Sequence, residues 1–368
     1  MTDAARTWRP DFLGPDYSAL RLQVPRADGT ARRATLVRHR PGGGLPSPAA
    51  RRGAPVHTGA DGKSKRYSTT VLYIHGWSDY FYNTGLAEFF TGLGYSFYAL
   101  DLHNHGRSLT SPELGGYVDN LSDYDDEITL AHAVISADAA QPSGAGPDAG
   151  DGPDAGERPA GPGVPLVLMG HSTGGLIAAL WASHNQGSVA ALVLNSPWLE
   201  IQGGAAIRRA ATPLVHPFAE LRPLTRMRVP ERTFYWRGIS SEAHGEWPVD
   251  RRLRPPQAFP VRAGWMRAIM AAQREVAAGL DLHVPVLVLL SAKSMLGPVW
   301  SDAMLAADVV LDVRSLALRA VSLGDSVAIE RISGALHEVF LSRQAVREDA
   351  YRRLKRWLSA YNAGCNCA

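Results

Sequence analysis

Leu166-Val167-Leu168-Met169-Gly170-His171-Ser172-Thr173-Gly174-Gly175-Leu176-Ile177-Ala178-Ala179-Leu180 decides how this chain folds. Four consecutive apolar residues, 166–169, suit a strand buried on both faces, and the apolar run 176–182 suits a buried helix. Between them stands Gly-x-Ser-x-Gly. A strand that turns directly into a helix strains the backbone of the serine at the turn, and glycines two residues to either side leave room for it. Ser172 then presents its hydroxyl above the sheet. In a chain with 36 glycines the pattern alone also fits a plain glycine turn. The flanking strand and helix, and the partners downstream, select the nucleophile reading.

A serine hydroxyl attacks only when a base takes its proton, and that base needs a carboxylate to fix its tautomer. With a serine on such an elbow the chain order is serine, acid, histidine. His337, in Ser333-Gly334-Ala335-Leu336-His337-Glu338, directly follows the apolar run 327–332 and is placed to be the base. His283 precedes a strand and falls at the wrong end of a sheet. Asp302, Asp308 and Asp312 all follow the apolar run 286–290. Asp308 is preferred over Asp302 because Asp308-Val309-Val310-Leu311-Asp312 resembles an Asp-x-Val-Val-Asp arrangement that often carries such an acid, and the interval to His337 leaves room for one helix and one strand; Asp312 reads as a helix cap.

A tetrahedral intermediate also needs two backbone N–H donors. Thr173, next to the nucleophile, is one candidate, and Trp77 in His75-Gly76-Trp77, after the apolar run 71–74, is the other. His75 itself reads as a packed, hydrogen-bonded residue. In Asp101-Leu102-His103-Asn104-His105-Gly106-Arg107-Ser108 two histidines and an aspartate suggest a metal, yet no second cluster completes a ligand set. Asp101 and Arg107 read as a brace for that loop. Neither a metal nor a cofactor is expected.

Around these motifs, apolar runs at 20–24, 34–38, 71–74, 96–100, 166–169, 191–194, 286–290 and 327–332 alternate in large part with helix-like segments, as in an α/β fold with a mostly parallel sheet. Ser122 begins one such helix, and 344–361 forms another with a basic face that reads as solvated. Segments 41–66 and 141–163 are rich in Gly and Pro and read as flexible surface loops. From 197 to 280 the rhythm gives way to prolines and aromatics, which suggests a helical cap inserted into a core made of 1–196 and 281–368.

The chain has 368 residues, 45% hydrophobic and 20% charged, enough for one large domain with an insertion. A formal net charge of +3 gives no reason to expect nucleic acid. No run of 18 apolar residues and no signal-peptide order at the start lead to a cytoplasmic expectation. Cys365 and Cys367 are the only cysteines, so no disulfide framework is expected.

The sequence resembles the monoacylglycerol-lipase-like, or lysophospholipase-like, branch of the α/β-hydrolases, also called the serine aminopeptidase S33 group. The matching pieces are Tyr73-Ile74-His75-Gly76, the segment 100–108, Gly170-His171-Ser172-Thr173-Gly174-Gly175, Asn195-Ser196-Pro197-Trp198 and Gly334-Ala335-Leu336-His337-Glu338. The resemblance implies an eight-stranded, mostly parallel sheet, a cap after the sixth strand, and ester hydrolysis through an acyl-enzyme without a cofactor. The chain departs from that group in one place. Where an aspartate usually follows the seventh strand as Gly-x-x-Asp, this chain reads Ser291-Ala292-Lys293-Ser294.

The expected substrate is a carboxylic ester, lipid-like or small, of the monoacylglycerol or lysophospholipid type. Aromatic and apolar residues of the insertion, Trp198, Phe234, Tyr235, Trp236, Trp247, Phe259 and Trp265 among them, suit an acyl pocket as a group, although singly each reads as cap packing. The arginines of the insertion, from Arg208 to Arg254, suit at most a peripheral contact with an anionic membrane, and equally a solvated surface. Two alternatives stand beside the esterase: an S33-type aminopeptidase, which needs a cap acid such as Glu220, Glu231, Glu242 or Glu246, and a non-catalytic hydrolase scaffold used for binding.

Overall fold

The apolar runs become strands of a single sheet, and in its central strands the side chains alternate between two faces that are both covered. A computed structural model describes residues 7–43, 57–58, 64–65, 70–140, 164–201, 219–228 and 233–364. Its strands are β1 (Arg9–Asp11), β2 (Gly14–Pro25), β3 (Ala31–His39), the two-residue β4 (His57–Thr58) and β5 (Ser64–Lys65), β6 (Thr70–Ile74), β7 (Ser96–Asp101), β8 (Leu166–His171), β9 (Val189–Asn195), β10 (Val286–Ser291) and β11 (Val327–Ile332). The main sheet runs β1-β2-β3-β7-β6-β8-β9-β10-β11, while β4 and β5 pair only with each other. From β7 to β11 every pairing is parallel, and the three leading strands are antiparallel.

Along each central strand, odd and even positions feed different cores. Leu72, Ile74, Leu168, Leu192, Leu194, Val288 and Leu290 pack with helices α2 (Asp123–Ala140), α3 (Thr173–His184) and α5 (Ala263–Ala278). On the other face Val71, Tyr73, Val167, Met169, Val193 and Leu289 pack with α1 (Thr84–Gly92) and α7 (Gln344–Gly364). Each fully buried Leu or Val contributes about 2 kcal/mol relative to exposure. Helix α3 is buried from Thr173 to Ala182, which its unbroken apolar sequence requires.

The sheet has nine strands where eight were expected, because β1 adds an antiparallel edge to β2. Arg9-Pro10-Asp11 has no apolar run to announce it. Part of the expected loop 41–66 forms the β4–β5 pair, and 141–163 lies outside the described residues, as do Cys365 and Cys367. The basic face of α7 is ion-paired as well as solvated: Arg352 and Arg356 are exposed, Arg353 and Arg356 hold Glu330 of β11, and Arg347 holds Glu246.

Between β9 and β10 the chain makes the insertion. Its helix α4 (Phe234–Ile239) and the segment after it form a third apolar cluster, Tyr80, Tyr82, Trp236, Ile239, Val249, Leu336 and Leu341. Helix α5 differs, since Trp265, Ala268, Ile269, Ala272 and Val276 belong to the main core beside the sheet. The loops after β6, β8, β9, β10 and β11 therefore meet at the carboxyl ends of the parallel strands with α4 above them, the place where open α/β sheets hold ligands.

Candidate active site

Ser172 stands between β8 and α3 with φ 52° and ψ −118°. A conformation this unfavourable for an L-residue costs about 1–3 kcal/mol and persists only where the surroundings impose it. Here they do. A Cβ on Gly170 would meet the carbonyl oxygen of Gly174 at 2.3 Å, and one on Gly174 would meet that of His75 at 2.2 Å. The Ser172 N–H donates to the Asn195 carbonyl at 3.0 Å, and the Ser172 carbonyl accepts from Gly175, Leu176 and Trp198. With the backbone so fixed and the hydroxyl capping nothing in α3, the Oγ is left to the space above the turn.

His337 Nδ1–H donates to Asp308 Oδ2 at 2.9 Å, with both side chains buried. The remaining Asp308 oxygen accepts the N–H groups of Val310 and Leu311 at 2.7 and 2.8 Å. In the neutral ring this leaves Nε2 as the proton acceptor. The ring of His171, next to the serine, lies 4.9 Å from that of His337. Ser172 and His337 thus approach from β8 and from the loop after β11. No Ser172–His337 hydrogen bond is among those of the described residues, a contact that commonly tightens only when substrate is present.

The other acids are elsewhere. Asp302 is exposed and opens a short 3-10 turn, Asp302–Ala306, while Asp312 caps helix α6 (Val313–Ala320) by accepting from the Arg314 N–H, as expected of a cap. His283 is exposed and paired with Asp325.

Thr173 opens α3, so its N–H is one of the four that no carbonyl of the helix accepts. Trp77 follows β6. Its indole donates to the Gly116 carbonyl at 3.0 Å and stacks on Trp265 at 4.5 Å, which fixes the loop that carries its backbone N–H. His75 is packed as expected: its Nδ1–H donates to the Gly76 carbonyl and its Nε2 accepts from the Leu102 N–H. Asp101 accepts from Phe81, from the Arg107 backbone and from the Arg107 guanidinium, and so braces the loop. His103 donates to Glu127, and His105 donates to the His103 carbonyl. Among the described residues no group of three or more His, Cys, Asp or Glu converges as metal ligands.

Several groups beside the site escaped the sequence reading. The Asn195 carbonyl accepts from both Ser172 N–H and His171 Nδ1–H, while its side chain bonds Glu338 and the Val339 N–H. Burial pushes the Glu338 carboxyl up to about 7. Desolvation, reinforced by His337, holds His171 well below the usual imidazole range, so it stays neutral and accepts from the Tyr235 hydroxyl at 3.3 Å. The Tyr235 ring meets that of His337 edge to face at 5.3 Å. Asp79 and Arg254 form a buried ion pair at 3.1 Å, and Arg254 lies 4.7 Å over the Tyr235 ring. Arg254 is therefore buried, where the arginines from Arg208 to Arg254 suggested a solvated or membrane-facing surface; Arg262, farther along the insertion, is buried as well. Arg262 donates to the carbonyls of Leu224 and Glu113. His171, Asn195 and Glu338 stood inside quoted motifs but without a role, and no spacing in the sequence pairs Asp79 with Arg254.

Solved structures share this architecture. DcsB, solved in complex with its substrate analogue, is 16% identical, with 94% of this chain and 100% of that one covered and a TM-score of 0.55. A monoglyceride lipase from Saccharomyces cerevisiae, a soluble variant in complex with a substrate analogue, is 13% identical over 97% of this chain and 95% of that one, at a TM-score of 0.54. A monoacylglycerol lipase from Paleococcus ferrophilus is 16% identical over 80% and 97%, at 0.52. At such identities the likeness is one of fold. Among curated proteins none matches this chain. The family model described as "Alpha/beta hydrolase family" matches residues 71–348, a span that includes the elbow, both loops after β10 and β11 and the insertion between β9 and β10, and the chain belongs to the α/β hydrolase family.

Proposed function

We propose that this protein is a serine hydrolase that cleaves carboxylic esters, with Ser172 as nucleophile, His337 as general base and Asp308 as the acid that orients it. The observation that carries this reading is the buried Asp308–His337 pair beside a serine held at positive φ. Ser172 Oγ attacks the ester carbonyl while its proton passes to His337 Nε2, and the N–H groups of Thr173 and Trp77 take the oxyanion. The protonated imidazole then gives its proton to the departing alkoxide. Water repeats the sequence on the acyl-enzyme, releases the acid and restores the serine.

A lipid-like acyl group suits the walls. Trp198, whose N–H donates to the Ser172 carbonyl, is tilted against Trp265 at 5.8 Å, and Trp265 stacks on Trp77. Trp77 and Trp198 are both partly exposed, so an apolar row leads away from the nucleophile. Nothing specific favours the aminopeptidase: Glu242 is paired with Arg251 and Glu246 with Arg347, and Glu231 lies outside the described residues. Among the described residues no helix is long and apolar enough to cross a membrane.

Hydrolysis of p-nitrophenyl esters across acyl lengths tests the reading. Ser172→Ala is expected to lower kcat by roughly 10³-fold or more, and a fluorophosphonate probe is expected to label Ser172. Undiminished turnover in the alanine variant refutes the mechanism. A wild-type protein that takes no label would point to the binding scaffold instead.

A further inference from the structure

The acid reaches His337 by a detour. Strand β10 ends at Ser291, and two residues later the chain departs. It returns so that Asp308 bridges Ser294 in parallel register: the Asp308 N–H donates to the Lys293 carbonyl at 3.0 Å, and the Met295 N–H donates to the Asp308 carbonyl at 2.7 Å. Ser294 Oγ brackets the return by donating to the Leu311 carbonyl and accepting from the Val313 N–H. Residues 295–307 thus leave and rejoin the sheet at one point. Within that detour Met304 and Ala307 are buried, whereas Leu296 and Val299 are exposed.

At its outer end Trp300 meets the insertion. Arg237 Cζ lies 4.2 Å over its ring, His244 stacks on it at 5.2 Å and 13°, and Phe234 is tilted against it at 5.8 Å. Arg237 and Phe234 belong to α4, which also packs on the turn Asp302–Ala306. The same helix supplies Tyr235, which touches His171 and His337. One short helix therefore holds the detour on one side and the imidazole on the other. Hydrogen bonds at Ser294 and Asp308 hold the inner end of the detour, and at the outer end an aromatic ring flanked by a guanidinium and an imidazole supplies a directional contact with the insertion.

We infer that segment 295–307 is a strap by which the insertion holds the acid against the base, with Trp300 as a positioning residue for Asp308. The inference rests on the triad proposed above. Arg237 and His244 clasp the strap at its far end, and the Ser294 bridge fixes its near end. Displacing α4 loosens the Asp308–His337 hydrogen bond without removing either partner.

Trp300→Ala tests this with two readouts in the full-length protein: kcat and KM on a p-nitrophenyl ester, and the low-field proton resonance of the His337 Nδ1–H···Asp308 hydrogen bond. The expected result is a fall in kcat of about tenfold, a small part of what losing a triad acid costs, with KM within about twofold and a weakened resonance. Trp300→Phe, which keeps a ring for Arg237 and His244, is expected to restore most of kcat. Wild-type kcat and an unchanged resonance in Trp300→Ala would overturn the strap. Should Trp300→Ala fail to fold, the pair Arg237→Gln and His244→Ala leaves the tryptophan in place and must give the same loss. A wild-type protein that shows the resonance and loses it in the variant, yet takes no fluorophosphonate at Ser172, would discard the hydrolase reading and leave the strap standing.

Discussion

The side-chain amide of Asn195 donates to the Glu338 carboxylate at 2.5 Å, which ties the end of β9 to the loop that carries His337. The same residue accepts the Ser172 N–H on its backbone carbonyl. One asparagine thus spans the Ser172 turn and the loop that carries His337, and both Asn195 and Glu338 are buried.

Asn195→Ala removes the donor to Glu338 and the acceptor of the Val339 N–H while leaving both partners out of water. Buried polar groups without partners cost about 1–3 kcal/mol each, so a loss of roughly 3 kcal/mol in denaturant stability is expected. Turnover should fall with it, because the loop after β11 loses its tether. A variant as stable as wild type would show that Glu338 finds another donor.

Glu338 predicts a pH dependence with a definite sign. Its carboxyl is raised from 4.5 to about 7 by burial, against the lowering effect of the bonds from Phe340, Asn195 and Tyr73. Below about pH 4.5 it is protonated in both the folded and the unfolded chain and adds no penalty. Between there and about pH 7 the folded protein keeps a proton that the unfolded chain has released, so stability falls as pH rises. Above that window the cost is complete, on the order of 3 kcal/mol. Glu338→Gln keeps an oxygen for Asn195 and Phe340 and carries no charge. Its unfolding free energy is expected to exceed that of wild type at pH 8 and to match it more closely at pH 5; parallel curves would sink the assignment.

The elbow makes a steric prediction. The ideal Cβ of Gly174→Ala falls 2.2 Å from the His75 carbonyl oxygen and 2.5 Å from that of Ile74, both backbone atoms of β6 and its loop. Neither can swing aside as a side chain would, so α3 must back away from the loop after β6. Overpacking of this kind costs about 1–3 kcal/mol. Gly76→Ala is milder, since its nearest contact is the His171 ring at 3.1 Å. Thermal unfolding of the two variants is expected to rank Gly174→Ala well below Gly76→Ala, and the reverse order would contradict the packing described.

The runs from 71–74 to 286–290 were readable because strands covered on both faces must be apolar at nearly every position, whereas 20–24 showed itself by alternation, with Leu20, Leu22 and Val24 buried and Arg21 and Gln23 exposed. Strand β1 was not readable, since Arg9-Pro10-Asp11 pairs through its backbone and buries little. At the other edge β11 was found, although Glu330 and Arg331 show it to be half open. Ser172 and His337 were visible because chemistry restricts what can stand at a strand end. The roles of Asn195, Asp79 and Arg254 were not. A buried polar residue has no periodic signature, and Arg254 is written in the same run as Arg251 and Arg252, which are exposed. Only the ion pair with Asp79, contributed from far along the chain, sets it apart.

The detour of the acid permits a relocation experiment. Ser294 occupies the place where the related pattern Gly-x-x-Asp puts its aspartate, and Asp308 bridges it in parallel register. Partners in a parallel bridge project their side chains to the same face of a sheet, so a carboxylate on residue 294 starts from a backbone position adjacent to that of Asp308. Asp308→Ala is expected to cost about 10⁴-fold in kcat, as loss of a triad acid does. Adding Ser294→Asp to that variant should recover activity, by roughly tenfold, a partial rescue consistent with misplaced but present support. Recovery stays incomplete for a physical reason: Ser294 Oγ donates to the Leu311 carbonyl, and a carboxylate cannot. If the double variant is no more active than Asp308→Ala while both remain folded, the two positions are not interchangeable before His337.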